Sequence, residues 1–191
     1  MPPEVPPPLS PPLLSPSSLS LEPLELLRRS ARLRVDAQGR WWHEGEPVAH
    51  ERVAALFSRG LGWRPRAGGG LLDGEATLAV GAQWCYVECD RTPFLVTRLT
   101  LDHDHERAEE GGAGEARLWA TLNTGARAEV GGAWLEGEVL FVELAGGAPA
   151  RLSRGAQGQC AAWLEEGAGG ALALRVGARL LPVGAAPPAR G

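Results

Sequence analysis

The stretch ATLAVGAQWCYVECDRTPFLVTRLTLD, Ala76 to Asp102, holds three runs of apolar, β-branched and aromatic residues with turn residues between them, and its reading fixes the class of the fold. ATLAV, WCYVEC and PFLVTRLTLD read as strands of an antiparallel sheet, with Asp73-Gly74 as the turn signal before the first. In WCYVEC the alternation puts Cys85, Val87 and Cys89 on one face and Trp84, Tyr86 and Glu88 on the other. Four residues of strand separate the two cysteines by about 13 Å, too far for a disulfide or one shared ion, so they read as small core residues.

The pattern continues on both sides. Downstream, ARLWATL and EVLFVEL read as strands, NTGARAEVGG between them as turns, RLSRGAQGQCAAWLEE as a second helix, and ALALRV and ARLLPV as closing strands. Upstream, RLRV, the turn DAQG and RWWH form a hairpin, because Gly39 supplies the positive φ that such turns need. Val53, Ala54, Phe57 and Leu61 then recur at helical spacing, with Phe57 as a core anchor and Gly60 and Gly62 as stop signals. SLEPLELLRRSA reads as a short helix, with Ser20 at its N-cap, Leu24 and Leu27 on one side and arginines at its C-terminal end. Before it, MPPEVPPPLSPPLLSPSS is too rich in proline for helix and reads as a disordered or polyproline-like tail.

GRWWHEGEPV (Gly39 to Val48) and GAWLEGEV (Gly132 to Val139) share Gly, Trp, Glu-Gly-Glu and Val in order, and each is followed by Ser-Arg-Gly, at Ser58 and Ser153. The echo suggests two related halves. The expected class is therefore α+β, each half an antiparallel sheet packed on a helix. The expected division is a tail over 1–19, an N-terminal domain over 20–97, a C-terminal domain over 98–184 and a tail over 185–191.

Composition bounds the function. A chain of 191 residues with 44% hydrophobic content is long enough for a sizeable core. Its net charge of -4 speaks against a surface that tracks phosphates along a nucleic acid. Arginine supplies every basic side chain apart from the histidines, since the chain has no Lys; that rules out Schiff-base chemistry and a phosphate-loop lysine. Three cysteines, Cys85, Cys89 and Cys160, are too few for a disulfide framework, which fits a reducing compartment. The chain shows no signal-peptide pattern and no apolar run of membrane-spanning length, so a cytoplasmic protein with no membrane partner is expected.

Candidate chemistry is sparse. His43 and His50 lack the four-residue helical spacing of a zinc-protease motif, with Pro47 between them. In LDHDHE, His103 and His105 would share one face of a strand, which makes a metal-dependent hydrolase an alternative reading; the run equally reads as the solvated end of a hairpin. No nucleophile elbow, phosphate loop or dinucleotide-binding glycine pattern is present. No cofactor and no metal are expected.

LAVGAQWCYVECDRTPF, Leu78 to Phe94, resembles a segment of the bacterial family catalogued as domain of unknown function 1285. Pro93-Phe94 matches the family's Pro-Phe, and Gly39-x-Trp41, Gly45-x-Pro47-Val48 and Leu56-Phe57 resemble its Gly-x-Trp hairpin, Gly-x-Pro and Leu-Phe helix. Asn123 in TLNTG resembles its Thr-Asn turn. Val80 and Gly81 stand where the family has Thr-Pro, Gln83 where it has Glu, and Arg91 where an Asp is usual. The resemblance implies a duplicated α+β arrangement, a C-terminal half loosely like a pleckstrin-homology fold, and a nucleotide-like ligand between the halves in a signalling context.

On this reading the chain is a non-enzymatic ligand-binding or regulatory module, its pocket lying where the halves meet. Asp90, Arg91, Phe94, Arg98, Asn123 and Arg127 are the expected ligand-binding residues, the arginines as charge partners and Asn123 as a reader of a base or ribose edge. A protein-binding adaptor acting through the Pro-rich tail is a further alternative. Oligomeric state is left open.

Overall fold

A computed structural model describes residues 21–103 and 116–185. Its first hairpin forms around Asp36. Strand β1 (Leu33–Val35) runs antiparallel to β2 (Trp41–His43), and between them the Asp36 carboxylate accepts the N–H groups of Gln38 and Arg40 at 2.9 Å each. Short β3 (Glu46–Pro47) pairs with β2, helix α2 (Glu51–Gly60) follows, and β4 (Leu61–Pro65), β5 (Gly74–Val80) and β6 (Gln83–Cys89) form an antiparallel meander. β1 pairs with β6 in parallel, giving the strand order β3-β2-β1-β6-β5-β4. Val87 is buried, Cys85 and Cys89 are half-buried and Glu88 is exposed, as the alternation requires. α2 lies against β5, and its half-buried Phe57 meets buried Trp41 edge-on at 5.3 Å.

Helix α1 (Leu21–Arg29) docks on β6 through its charged side chains. Arg28 lies 4.0 Å over the Trp84 ring, Arg29 lies 4.0 Å over Tyr86, and the Tyr86 hydroxyl donates to Glu25 at 3.2 Å. Leu24 is half-buried and Leu27 62% exposed. Ser20 and the Pro-rich tail lie outside the described residues, as does the C-terminal tail beyond Ala185.

The rest of the chain winds into a closed barrel. β7 (Phe94–His103), β8 (Ala116–Leu122), β9 (Arg127–Glu136), β10 (Val139–Leu144) and β11 (Ala148–Leu152) pair antiparallel in succession. In a five-strand meander the first and last strands run the same way, so closure needs a parallel pair, and it is made with Ala150 opposite Phe94 and Leu152 opposite Val96. Val96, Leu118, Val130, Val142 and Leu152 fill the interior. Helix α3 (Arg154–Ala161), N-capped by Ser153, buries Ala156 and Cys160 against this core. β12 (Leu164–Glu166), β13 (Leu172–Val176) and β14 (Arg179–Ala185) complete the sheet, β14 running parallel to β9.

The molecule is thus mixed α+β, mostly sheet, but its C-terminal part is a barrel rather than a sheet laid on a helix. NTGARAEVGG, expected as turns, supplies the first six of β9's ten residues; the expected second helix is confined to 154–161, with β11 ending inside its first residues and β12 inside its last. Leu61, expected at the end of α2, instead opens the unforeseen strand β4. The change of sheet comes at Asp90–Pro93, so the expected boundary between 97 and 98 falls inside β7. Buried residues from both sheets form one contiguous cluster.

The Trp/Glu-Gly-Glu echo does not mark equivalent hairpins. In the first, Glu44 and Gly45 are the two turn residues, both with positive φ (52° and 88°), which is a type I′ geometry. In the second the turn is Gly137-Glu138 with only Gly137 at positive φ (61°), as type II′ requires. The glycine is the second loop residue in the first hairpin and the first in the second. Ser-Arg-Gly likewise ends α2 at 58–60 and begins α3 at 153–155.

Candidate functional site

The link between the two sheets, Asp90-Arg91-Thr92-Pro93, commits its polar groups one after another. Asp90 accepts from Arg34 Nη2 of β1 at 3.1 and 3.2 Å. Arg91, at φ 77°, donates from Nε to Glu136 of β9 at 2.9 Å. The buried Thr92 hydroxyl donates to the Pro149 carbonyl of β11 and accepts the Phe94 N–H at 3.2 Å. Three consecutive side chains therefore fasten the link to three different strands.

Asn123 does the same work from the end of β8. Its own N–H donates to the Leu95 carbonyl at 2.8 Å, its side-chain oxygen accepts the Leu95 N–H at 3.1 Å, and its amide donates to the Pro93 carbonyl at 3.3 Å. A Cβ placed on Gly39 would come within 3.4 Å of the Asn123 amide, so the β1–β2 turn rests directly on this residue.

The expected site residues thus divide. Asp90, Arg91, Phe94 and Asn123 gather at the seam between the sheets, with Phe94 buried. Arg98 and Arg127 sit elsewhere, both opposite Thr121 in the β7-β8-β9 ladder and so on the barrel's outer wall. There Arg127 lies 4.7 Å over Trp119 and donates to Asp102 at 3.2 Å.

Beside the link, a cleft of about 450 Å³ opens between the β1–β2 turn and the barrel. Ala37 and Gln38 form one wall; Leu95, Leu152 and the start of α3 form the other, with Arg151, Ser153, Arg154 and Gln157. Arg151 stands next to Leu95 across the parallel β11–β7 pair, and Arg154 is the first residue of α3. Ser153 Oγ caps α3 by accepting the Ala156 N–H at 3.2 Å and keeps its O–H as a donor, and Gln157 donates to the Glu138 carbonyl at 3.0 Å. No carboxylate lines this cleft, and neither arginine makes a salt bridge among the described residues. The two guanidiniums can bind an anion by bidentate hydrogen bonding, with half-buried Leu95 as the apolar surface beside them.

The clefts on the outer face of the first sheet differ in charge. There Arg29 pairs with Glu75 at 2.9 Å, Arg32 with Glu44 at 3.6 Å, and Arg34 with Asp90. Each cation has its carboxylate.

Thiol and metal chemistry find little support. Burial pushes the Cys160 thiol up to about 12, and burial with the neighbouring Asp90 carboxylate pushes Cys89 to about 11, so both stay protonated at neutral pH. Among the described residues no three His, Cys, Asp or Glu side chains converge as metal ligands. His103 ends β7 opposite Ala116, and His105 lies outside the described residues. Among the described residues, no helix is long and apolar enough to cross a membrane.

No protein-family model matches the chain, and no curated protein matches it significantly in sequence. Among solved structures it is similar to a DUF1285 family protein from Silicibacter pomeroyi, with 17% identity, a TM-score of 0.57 and coverage of 80% of this chain and 79% of that one. It is also similar to a DUF1285 family protein from Shewanella baltica, with 17% identity, a TM-score of 0.43 and coverage of 65% of this chain and 86% of the other. The first of these likenesses is one of fold, and it is to the family that the sequence motifs resemble.

Proposed function

We propose that the protein is a ligand-binding regulatory module that takes a small anionic, nucleotide-like molecule in the cleft between the β1–β2 turn and the barrel. Arg151 and Arg154 hold the phosphate or carboxylate, Gln38 contributes an amide from the facing wall, and half-buried Leu95 and Ala37 receive the organic body. The observation that carries this reading is the pair of arginines in a cleft without a carboxylate. A volume of about 450 Å³ suits a small ligand, and a seam between two sheets is a usual place for one. Asp90, Arg91 and Asn123 act at this site as the fasteners that fix its walls, rather than as contacts.

A thermal-shift screen of nucleotides and second messengers tests the proposal, because a ligand that binds only the native state raises the melting temperature. A nucleotide should raise it for the wild type and not for Arg151→Gln/Arg154→Gln. A shift of equal size in the double variant would refute the assignment.

A further inference from the structure

The barrel has two ends, and they are closed differently. α3 stoppers one, with Ala156 and Cys160 fully buried against β7 and β11. At the other, the β8–β9 and β10–β11 turns stand as two lips facing the C-terminal end of α2, and a second cleft of about 470 Å³ lies between them. Its floor is the barrel interior itself: Phe94, Leu122 and Leu144, all buried. The lips carry small side chains where they line the cleft, at Ala126 and Ala145.

One cation overlooks this apolar mouth. Arg59, in the last turn of α2, is exposed and makes no salt bridge among the described residues, and no carboxylate lines the cleft. The Thr124 hydroxyl accepts the Ala126 N–H at 3.1 Å and keeps its own O–H to donate, so the guanidinium is the charged anchor and Thr124 a neutral donor beside it. We infer that the barrel mouth binds a small amphipathic carboxylate, its aliphatic or aryl body on Phe94 and Leu122 and its carboxylate on Arg59. An apolar floor rewards burial of a hydrocarbon, and a planar cation at the rim pairs with a carboxylate in two hydrogen bonds, so the two features select one class of molecule.

This site is separate from the arginine cleft. Phe94 faces the barrel mouth whereas Leu95, the next residue of β7, lines the other cleft, so one site can fail while the other stands.

The test is a calorimetric titration of the full chain with octanoate and, in parallel, with 1-octanol, which has the chain without the charge. Octanoate should bind, octanol should bind about tenfold more weakly or less, and Arg59→Gln should weaken octanoate by about tenfold. Ala145→Phe, at an exposed lip, should abolish binding by filling the mouth, with an unchanged melting temperature showing that the fold survives. Absence of octanoate binding at millimolar concentration, equal affinity for octanol, or affinity indifferent to both substitutions would overturn the inference. A nucleotide-induced thermal shift that persists in Ala145→Phe is the expected sign that the arginine cleft is untouched.

Discussion

Two regions lie side by side at the seam, and both are rich in hydrogen-bonding groups. In the link Asp90–Pro93 with Asn123, each polar side chain already has a protein partner: Arg34, Glu136, Pro149 and Leu95 take them up. In the adjacent cleft, Arg151 and Arg154 have no carboxylate among the described residues. The contrast separates two uses of polar chemistry. Groups that satisfy one another hold a fold, whereas groups left to water are free to hold something else.

The largest effects should come from unfastening the link. Asn123→Ala leaves the Leu95 N–H and the Pro93 carbonyl without their partner, and should cost about 2 to 3 kcal/mol in chemical denaturation. Thr92→Val deprives the buried Pro149 carbonyl and Phe94 N–H in the same way and should cost about 1 to 3 kcal/mol. If either variant matched the wild-type midpoint, the link would not be what joins the sheets.

A smaller effect concerns the opposite wall of the cleft. Burial would raise the Asp36 carboxyl, but the N–H groups of Arg40 and Gln38, the Trp42 indole and the Arg40 guanidinium outweigh it and hold the group below the usual carboxylate range. A carboxyl depressed in the fold stabilises fully above its unfolded pKa, near 3.8, and that stabilisation is lost as pH falls through the lower folded value. Acid denaturation should therefore show Asp36→Asn less stable than wild type at neutral pH, with the gap closing below about pH 4. A gap that stayed constant down to pH 2 would show that the carboxylate charge is not involved.

The smallest effect sharpens the comparison at Arg91. Left-handed backbone costs a residue with a Cβ about 1 kcal/mol, and a partly exposed ion pair returns about 0 to 1 kcal/mol. Arg91→Gly should thus change stability by no more than about 1 kcal/mol; a loss above 2 kcal/mol would give the Glu136 contact a weight that surface pairs rarely have.

What the sequence revealed follows the range of the interactions. Local signals were sufficient for the Asp36–Gly39 hairpin, for α2 and for the alternating strands β5 to β8, each of which carries its period in its own residues. β9 was hidden because Gly131-Gly132 interrupt its apolar run, and β11 because Pro149 argues against a strand. Pro149 is tolerated there because its carbonyl, not an N–H, is the group that Thr92 needs. Barrel closure rests on pairing β11 with β7 across more than fifty residues, which no local period encodes. Asp90, Arg91, Phe94 and Asn123 lie together at the seam, whereas Arg98 and Arg127 lie opposite Thr121 on the barrel's outer wall, a separation that charge in the sequence does not encode. Arg151 and Arg154 escaped notice because the junction between β11 and α3 was read as continuous helix. Ser153 as an N-cap, with Arg154 directly after it and Arg151 two residues before, is the sequence signal for them.

An anion should bind between Gln38 and the Arg151–Arg154 corner and not on the outer face of the first sheet. Backbone amide shifts recorded while pyrophosphate is titrated into the full chain should move at Gln38, Arg151, Arg154 and Gly155 and stay fixed at Arg32, Arg34 and Glu88. Shifts that begin on the outer face of the first sheet, or that are absent from both regions at millimolar pyrophosphate, would contradict it.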